Sequence, residues 1–220
     1  MIELDHVVIA VPDLPAAATS LADGMGLTSV EGGRHAGWGT ANRIVPLGET
    51  YLELVAVVDA DEAAASAFGG WVAAAAGAQP IGWVVRTDGI DQVAGRLGLT
   101  VSEGTRRDRE GRPMHWRVAG VERARTEPSL PFFVEWGEGT PHPGRTGALT
   151  GGLIAEVRVR GDRALLTHWL GGADLPVAVE PGEPAVEAVV VGAPGGEVVL
   201  DRAALGSGTA GAVPDPHRAD

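Results

Sequence analysis

Three side chains define the chemistry that this sequence can support. His6 is third in the run Leu4-Asp5-His6, Glu53 is third in Tyr51-Leu52-Glu53-Leu54, and Glu135 lies within Phe132-Phe133-Val134-Glu135-Trp136. Both carboxylates fall in apolar runs that read as strands, where alternation puts Leu52 and Leu54 on one face and Glu53 on the other. A carboxylate buried without a partner costs several kcal/mol, so each of these needs a counter-charge. One imidazole and two carboxylates at matching places predict a single divalent cation held between the sheets. The competing reading leaves His6 as a core histidine bonded to backbone and pairs the carboxylates with arginines such as Arg34, Arg107 or Arg117. For Glu135 taken alone, the ion pair is the better reading.

The elements that must position these groups repeat along the chain. Leu4 to Val11, Ile81 to Thr87 and Ile154 to Val159 are β-branched strands, each followed by an aspartate, a helix and a glycine. The aspartates Asp13, Asp88 and Asp162 are placed to cap helix starts, and Gly26, Gly98 and Gly171 to end the helices. Further strands follow the first two helices, with Gly39 to Leu47 and Thr50 to Val57 reading as a hairpin. The expected fold is α+β, built of repeated βαβββ modules. Residues 1–60 form the first module, 61–78 a linking helix, 79–140 the second module, 150–205 a reduced third one, and 206–220 a disordered tail.

The run from Gly32 to Asn42, then Val45-Pro46-Leu47-Gly48 and Tyr51-Leu52-Glu53-Leu54, resembles the glyoxalase-like branch of the vicinal-oxygen-chelate superfamily; Pro131 to Trp136 is similar to its second module. The resemblance covers about residues 1 to 140. It implies a U-shaped mixed sheet, with metal ligands taken from the first and last strand of each module. His6, Glu53 and Glu135 fall on three of those positions. Trp83 falls on the fourth, and indole cannot ligate a cation. One nitrogen and two oxygens would suit Zn²⁺, Mn²⁺, Ni²⁺, Co²⁺ or Fe²⁺ with open water positions. The resemblance also implies that Glu53 or Glu135 could leave the metal and act as general base. A two-histidine, one-carboxylate iron site would need His35 or His115 to swing in. Candidate substrate contacts are His35 and Asn42 in the glycine-rich segment, Trp83 and Trp136 as an aromatic floor, and Arg107 and His115 on the hairpin from Arg106 to His115. His142, His168 and His217 have no supporting context.

Composition removes other classes. There is no cysteine, and all 17 basic residues are arginine, so thiolate sites, cysteine nucleophiles and lysine Schiff bases are excluded. A net charge of −12 opposes nucleic-acid and anionic-membrane binding. The chain starts on a charged strand without the pattern of a signal peptide, which predicts a cytoplasmic protein. The uncharged run Ala63 to Ile81 is mostly alanine and glycine, and reads as a close-packed helix. The leading expectation is a metal-dependent enzyme, of isomerase, lyase or hydrolase type, acting on a small molecule with adjacent oxygens. A ring-cleaving dioxygenase ranks below it. The alternative is a metal-free binding protein, similar to the drug-sequestering members of the superfamily, in which case the acidic charge and 6 tryptophans would favour a cationic ligand. The third module could also serve only to shield a sheet edge.

Overall fold

The computed structural model describes residues 1–107, 111–146, 152–193 and 195–207, with the backbone of 211–212. The first unit comprises β1 (Ile2–Ala10), α1 (Leu14–Met25), β2 (Val30–His35), β3 (Thr40–Pro46) and β4 (Tyr51–Val57). Two short helices, α2 (Ala60–Ala64) and α3 (Ala67–Ala73), lead to the second unit. That unit comprises β5 (Gln79–Thr87), α4 (Ile90–Leu97), β6 (Val101–Arg107), β7 (Pro113–Ala119), α5 (Val121–Thr126) and β8 (Phe132–Trp136). A single 3-10 turn, Pro143–Arg145, precedes the third unit of β9 (Leu153–Arg160), α6 (Arg163–Trp169), β10 (Val177–Glu180), β11 (Ala185–Ala193), β12 (Gly196–Asp201), α7 (Arg202–Ser207) and β13 (Gly211–Ala212). Of the tail expected over 206–220, residues 208–210 and 213–220 lie outside the described residues.

Local chemistry sets most of these boundaries. Asp13 accepts from the Ala16 amide and Asp162 from the amides of Ala164 and Leu165, satisfying helix-start donors. Asp88 does not do the same for α4. Gly89 takes the capping position there, Asp88 is exposed, and the Ile90 amide donates to Glu135 instead. Gly26, Gly98 and Gly171 all adopt left-handed φ near 65–67°, which stops the helices as expected. The linking helix is broken in two, because the Ser66 hydroxyl caps a new start by accepting from the Gly69 amide. Among the described residues, no helix is long and apolar enough to cross a membrane.

The first two units share one eight-stranded mixed sheet in the order β2-β3-β4-β1-β5-β8-β7-β6. β1 runs parallel to β4 and β5 parallel to β8, while β1 and β5 are antiparallel, so the two halves mirror each other about that central pair. The U curls until its edge strands nearly meet. Arg106 Nη1 donates to the Gly32 carbonyl, and a Cβ on Gly33 would stand 2.8 Å from the Arg107 carbonyl. The outer face of the sheet packs on α1, α4 and the five-stranded sheet β10-β9-β11-β12-β13, in a core that includes Leu52, Trp83, Phe133, Val157, Trp169 and Val189. A second core cluster, with Val8, Val84 and Phe132 from the sheet and Phe68 and Trp71 from α3, fills much of the concave side. What remains there is the cavity.

Candidate active site

Strand parity decides which side chains reach the concavity. Along β4, Leu52 and Leu54 enter the outer core, while Tyr51 and Glu53 line the cavity. In β1 the ladder to β5 slips between Leu4 and His6, leaving Asp5 as an extra residue. This bulge puts Leu4 and Val7 in the outer core and turns His6 to the cavity. His35 ends β2, and Asn42 lies in β3 beside it. The opposite wall is aromatic and aliphatic, with Trp116, Phe132, Val134 and Trp136 from β7 and β8, and Trp38 and Phe68 enclosing the rest. The free volume is roughly 40 Å³, against the ~10–15 Å³ needed to hold one water.

At the centre is the Glu53 carboxylate. His6 Nε2 lies 3.6 Å from one oxygen and His35 Nε2 3.5 Å from the other. Asn42 Nδ2 donates to Glu53 at 2.6 Å. Each imidazole is held from behind: His6 Nδ1 is 2.6 Å from Asp5 Oδ1, and His35 Nδ1 is 2.9 Å from Thr40 Oγ1. His6 also stacks on Tyr51, with ring centroids 4.3 Å apart. Asp5 is fully buried and accepts at Oδ2 from Trp136 Nε1 and His142 Nε2, both at 3.0 Å.

These contacts separate the two imidazoles. Burial disfavours charge on His6, but the hydrogen bond to Asp5 and the negative charge of the nearby Glu53 overcome it and raise its pKa to about 9. At His35 burial dominates, with Arg106 and His6 adding repulsion beyond what Glu53 restores, so its pKa falls and the ring is neutral at pH 7. Glu53 is opposed by burial, yet the adjacent His6 imidazolium and the Asn42 hydrogen bond hold it ionised. The same balance keeps Asp5 anionic, where hydrogen bonds from His142 and His6 outweigh burial. Tyr51 is held firmly protonated, first by burial and then by Asp5 and Glu53.

Of the residues singled out from the sequence, His6, His35, Asn42, Glu53 and Trp136 meet in the cavity, and Trp83, Arg107, His115 and Glu135 do not. Glu135 alternates with the inward Val134 and faces outward. There it accepts from the Ile90 amide and pairs with Arg117 Nη1 at 3.0 Å, which is the arginine reading of this residue. Trp83 is completely buried in the outer core and donates to the Ser129 carbonyl. Arg107 donates to the Gly111 carbonyl, and the inward place on β6 belongs to Arg106. His115 is exposed beside the inward Met114 and Trp116.

The expected trio of His6, Glu53 and Glu135 therefore does not assemble. Two imidazoles and one carboxylate are a donor set that suits a borderline divalent ion. As placed, however, each nitrogen faces a different oxygen, and among the described residues no three His, Asp or Glu side chains are arranged to hold a metal ion. The residues as placed do not fit the ion.

Several residues in the cavity wall or directly behind it carry no signal in the sequence. Asp5 is hidden because alternation turns the residue beside an inward-facing one away from the cavity, and the bulge that lets it reach the His6 ring from behind has no local sequence signal. His142 stands alone in a loop with no periodic context. Trp38, Phe68 and Trp116 read equally well as core. Tyr51 was legible in principle, two residues before Glu53 on the same strand face.

Residues 4–172 match the family model described as a glyoxalase-like domain. No curated protein matches the sequence. Among solved structures, a hypothetical protein from Staphylococcus aureus is similar over 87% of this chain and 91% of its own, with a TM-score of 0.65 and 15% identity. A methylmalonyl-CoA epimerase from Mycobacterium tuberculosis covers 61% of this chain and 86% of its own at 19% identity and a TM-score of 0.44. A Streptomyces coelicolor methylmalonyl-CoA epimerase variant in complex with 2-nitronate-propionyl-CoA covers 63% and 97% at 20% identity and a TM-score of 0.46. With more than half of its length matched, the curved mixed sheet and its concave site belong to a member of the glyoxalase-like domain family, within the vicinal-oxygen-chelate superfamily.

Proposed function

We propose that the chain is an enzyme of isomerase type that moves a proton on a compact small molecule bearing adjacent oxygens. The observation that carries this reading is the pair of imidazoles driven to opposite protonation states on either side of one buried carboxylate. Titratable neighbours whose environments push them apart mark an acid and a base. With its Nδ1 proton given to Thr40, His35 offers the Nε2 lone pair and takes a proton from the carbon next to a carbonyl. The electron pair moves onto the carbonyl oxygen, where the His6 imidazolium donates through Nε2 and stabilises the developing enolate. Return of a proton to a carbon or an oxygen completes the isomerisation and restores both rings. Glu53 holds the His6 imidazolium by charge, Thr40 orients His35, and the aromatic wall excludes water. Glu135 takes no part.

The test is proton exchange. Full-length protein in D₂O is incubated with a panel of two- to five-carbon 2-oxo acids, hydroxy ketones and oxo aldehydes, and loss of the C–H signal is followed by ¹H NMR. At least one member should exchange, and Glu53→Gln and His35→Gln should each slow it at least ~100-fold, in the range of acid–base contributions. Treatment with EDTA should leave the rate unchanged; loss on EDTA and recovery with one divalent ion would restore the metal-dependent reading. The six aromatic rings favour a second reading as a metal-free binding protein. No exchange with any member, together with tryptophan quenching by a planar ligand, would select it.

A further inference from the structure

Asp5 holds more hydrogen bonds than its place on a strand requires. It occupies the extra position of the β1 bulge, is fully buried, and receives three donors, one from the neighbouring His6 and two from a distant part of the chain. Two of them belong to an arm that leaves the second unit: Trp136 ends β8, and His142 lies six residues further on. The arm is laid across the first unit by other contacts. The Gly48 amide donates to the Gly144 carbonyl, Arg145 forks onto Glu49, and a Cβ at Gly144 would come within 2.4 Å of the Thr50 carbonyl, so only glycine lets the chain approach this closely.

The proton positions follow from the pattern. The Gly144 amide donates to His142 Nδ1 at 3.2 Å, so that nitrogen carries the lone pair and His142 Nε2 carries the hydrogen it gives to Asp5 Oδ2. Trp136 Nε1 can only donate, and it fills the same oxygen. Asp5 Oδ1 is left for the His6 Nδ1 proton at 2.6 Å. A carboxylate with both oxygens so occupied has one orientation, and the imidazole bonded to it has one as well.

We infer that Asp5, braced by Trp136 and His142, is a positioning residue that fixes the His6 ring with Nδ1–H toward Asp5 and Nε2 toward Glu53, so that an arm of the second unit sets the acid of the first. Its catalytic meaning rests on the reading of His6 as that acid. The wiring itself is measurable without a substrate.

Long-range ¹H–¹⁵N spectra of the imidazoles in the full-length protein at pH 7, with His6 assigned by its loss in His6→Gln, report which ring nitrogen carries a proton and how slowly that proton exchanges. In the wild type His6 Nδ1 should be protonated and protected. Trp136→Phe keeps the ring and removes one N–H, and should raise the exchange rate of that proton at least tenfold; His142→Leu should do the same, while His142→Gln, which retains a donor, should restore protection. Asp5→Asn should abolish the protected signal, and if that variant fails to fold, the other variants still decide. An unprotected His6 Nδ1 in the wild type, or protection unmoved by both Trp136→Phe and His142→Leu, would overturn the inference. A barren substrate panel with the protected proton present and responsive sinks the enzymatic reading alone; active exchange with the proton indifferent to the arm sinks the positioning role alone.

Discussion

In the first unit, the inward places on the parallel pair β1 and β4 hold His6, Tyr51 and Glu53; on β5 and β8 the paired inward places hold Val84, Phe132 and Val134. The two halves share strand pairing, yet at these central strands one carries polar chemistry and the other an apolar wall. A site at the join of two such halves needs reactive groups from only one, because the other serves it by excluding water and strengthening the electrostatics inside. Fold repetition is thus no guide to functional repetition.

The largest test of this contrast is Trp83→Ala. Because Trp83 is a core residue of the outer face rather than a cavity residue, the change should cost about 3–5 kcal/mol in urea unfolding. A loss under about 1 kcal/mol would mean that the indole faces the open side. The next test reads the polar half through pH. His6 is raised on folding from 6.5 to about 9, so its contribution is fully present below pH 6.5 and fades as pH climbs through 9. Wild type should lose stability relative to His6→Gln across that window, with a slope of at most about 1.4 kcal/mol per pH unit. Parallel curves for the two proteins would show that His6 is not held charged. The smallest test addresses the outward carboxylates. Glu135→Ala, which strips the Ile90 amide and Arg117 of an acceptor, should cost about 1–2 kcal/mol. Asp13→Ala should cost about 1 kcal/mol, and Asp88→Ala under about 0.5 kcal/mol, as befits an exposed side chain that caps nothing. Equal losses at Asp13 and Asp88 would break the assignment.

The α+β class, the repeating grammar and the first-unit pair of His6 and Glu53 were legible because apolar periodicity and glycine stops are local signals. The partner half misled by a single position. Counting from Leu4 and Ile81 equates Trp83 with His6, and matching the lone carboxylate of each closing strand equates Glu135 with Glu53, whereas pairing equates Val84 and Val134 with them. One residue of register exchanges the two faces of a strand. Neither β-bulges nor long-range pairing are written in a short stretch of sequence, which is also why Asp5 and His142, 137 positions apart, could not be joined in advance. The strand that carries His35 is masked in the sequence by Gly32 and Gly33.

The eight strands stop just short of a closed ring. Among the described residues no ladder joins β2 to β6, and the guanidinium of Arg106 on the Gly32 carbonyl bridges the gap. Parting any other two neighbours would strip a row of amide hydrogen bonds; parting these two disturbs side chains and close packing alone. The cylinder therefore has a seam, and its softest mode of breathing lies along the line where the reactive half meets the greasy one.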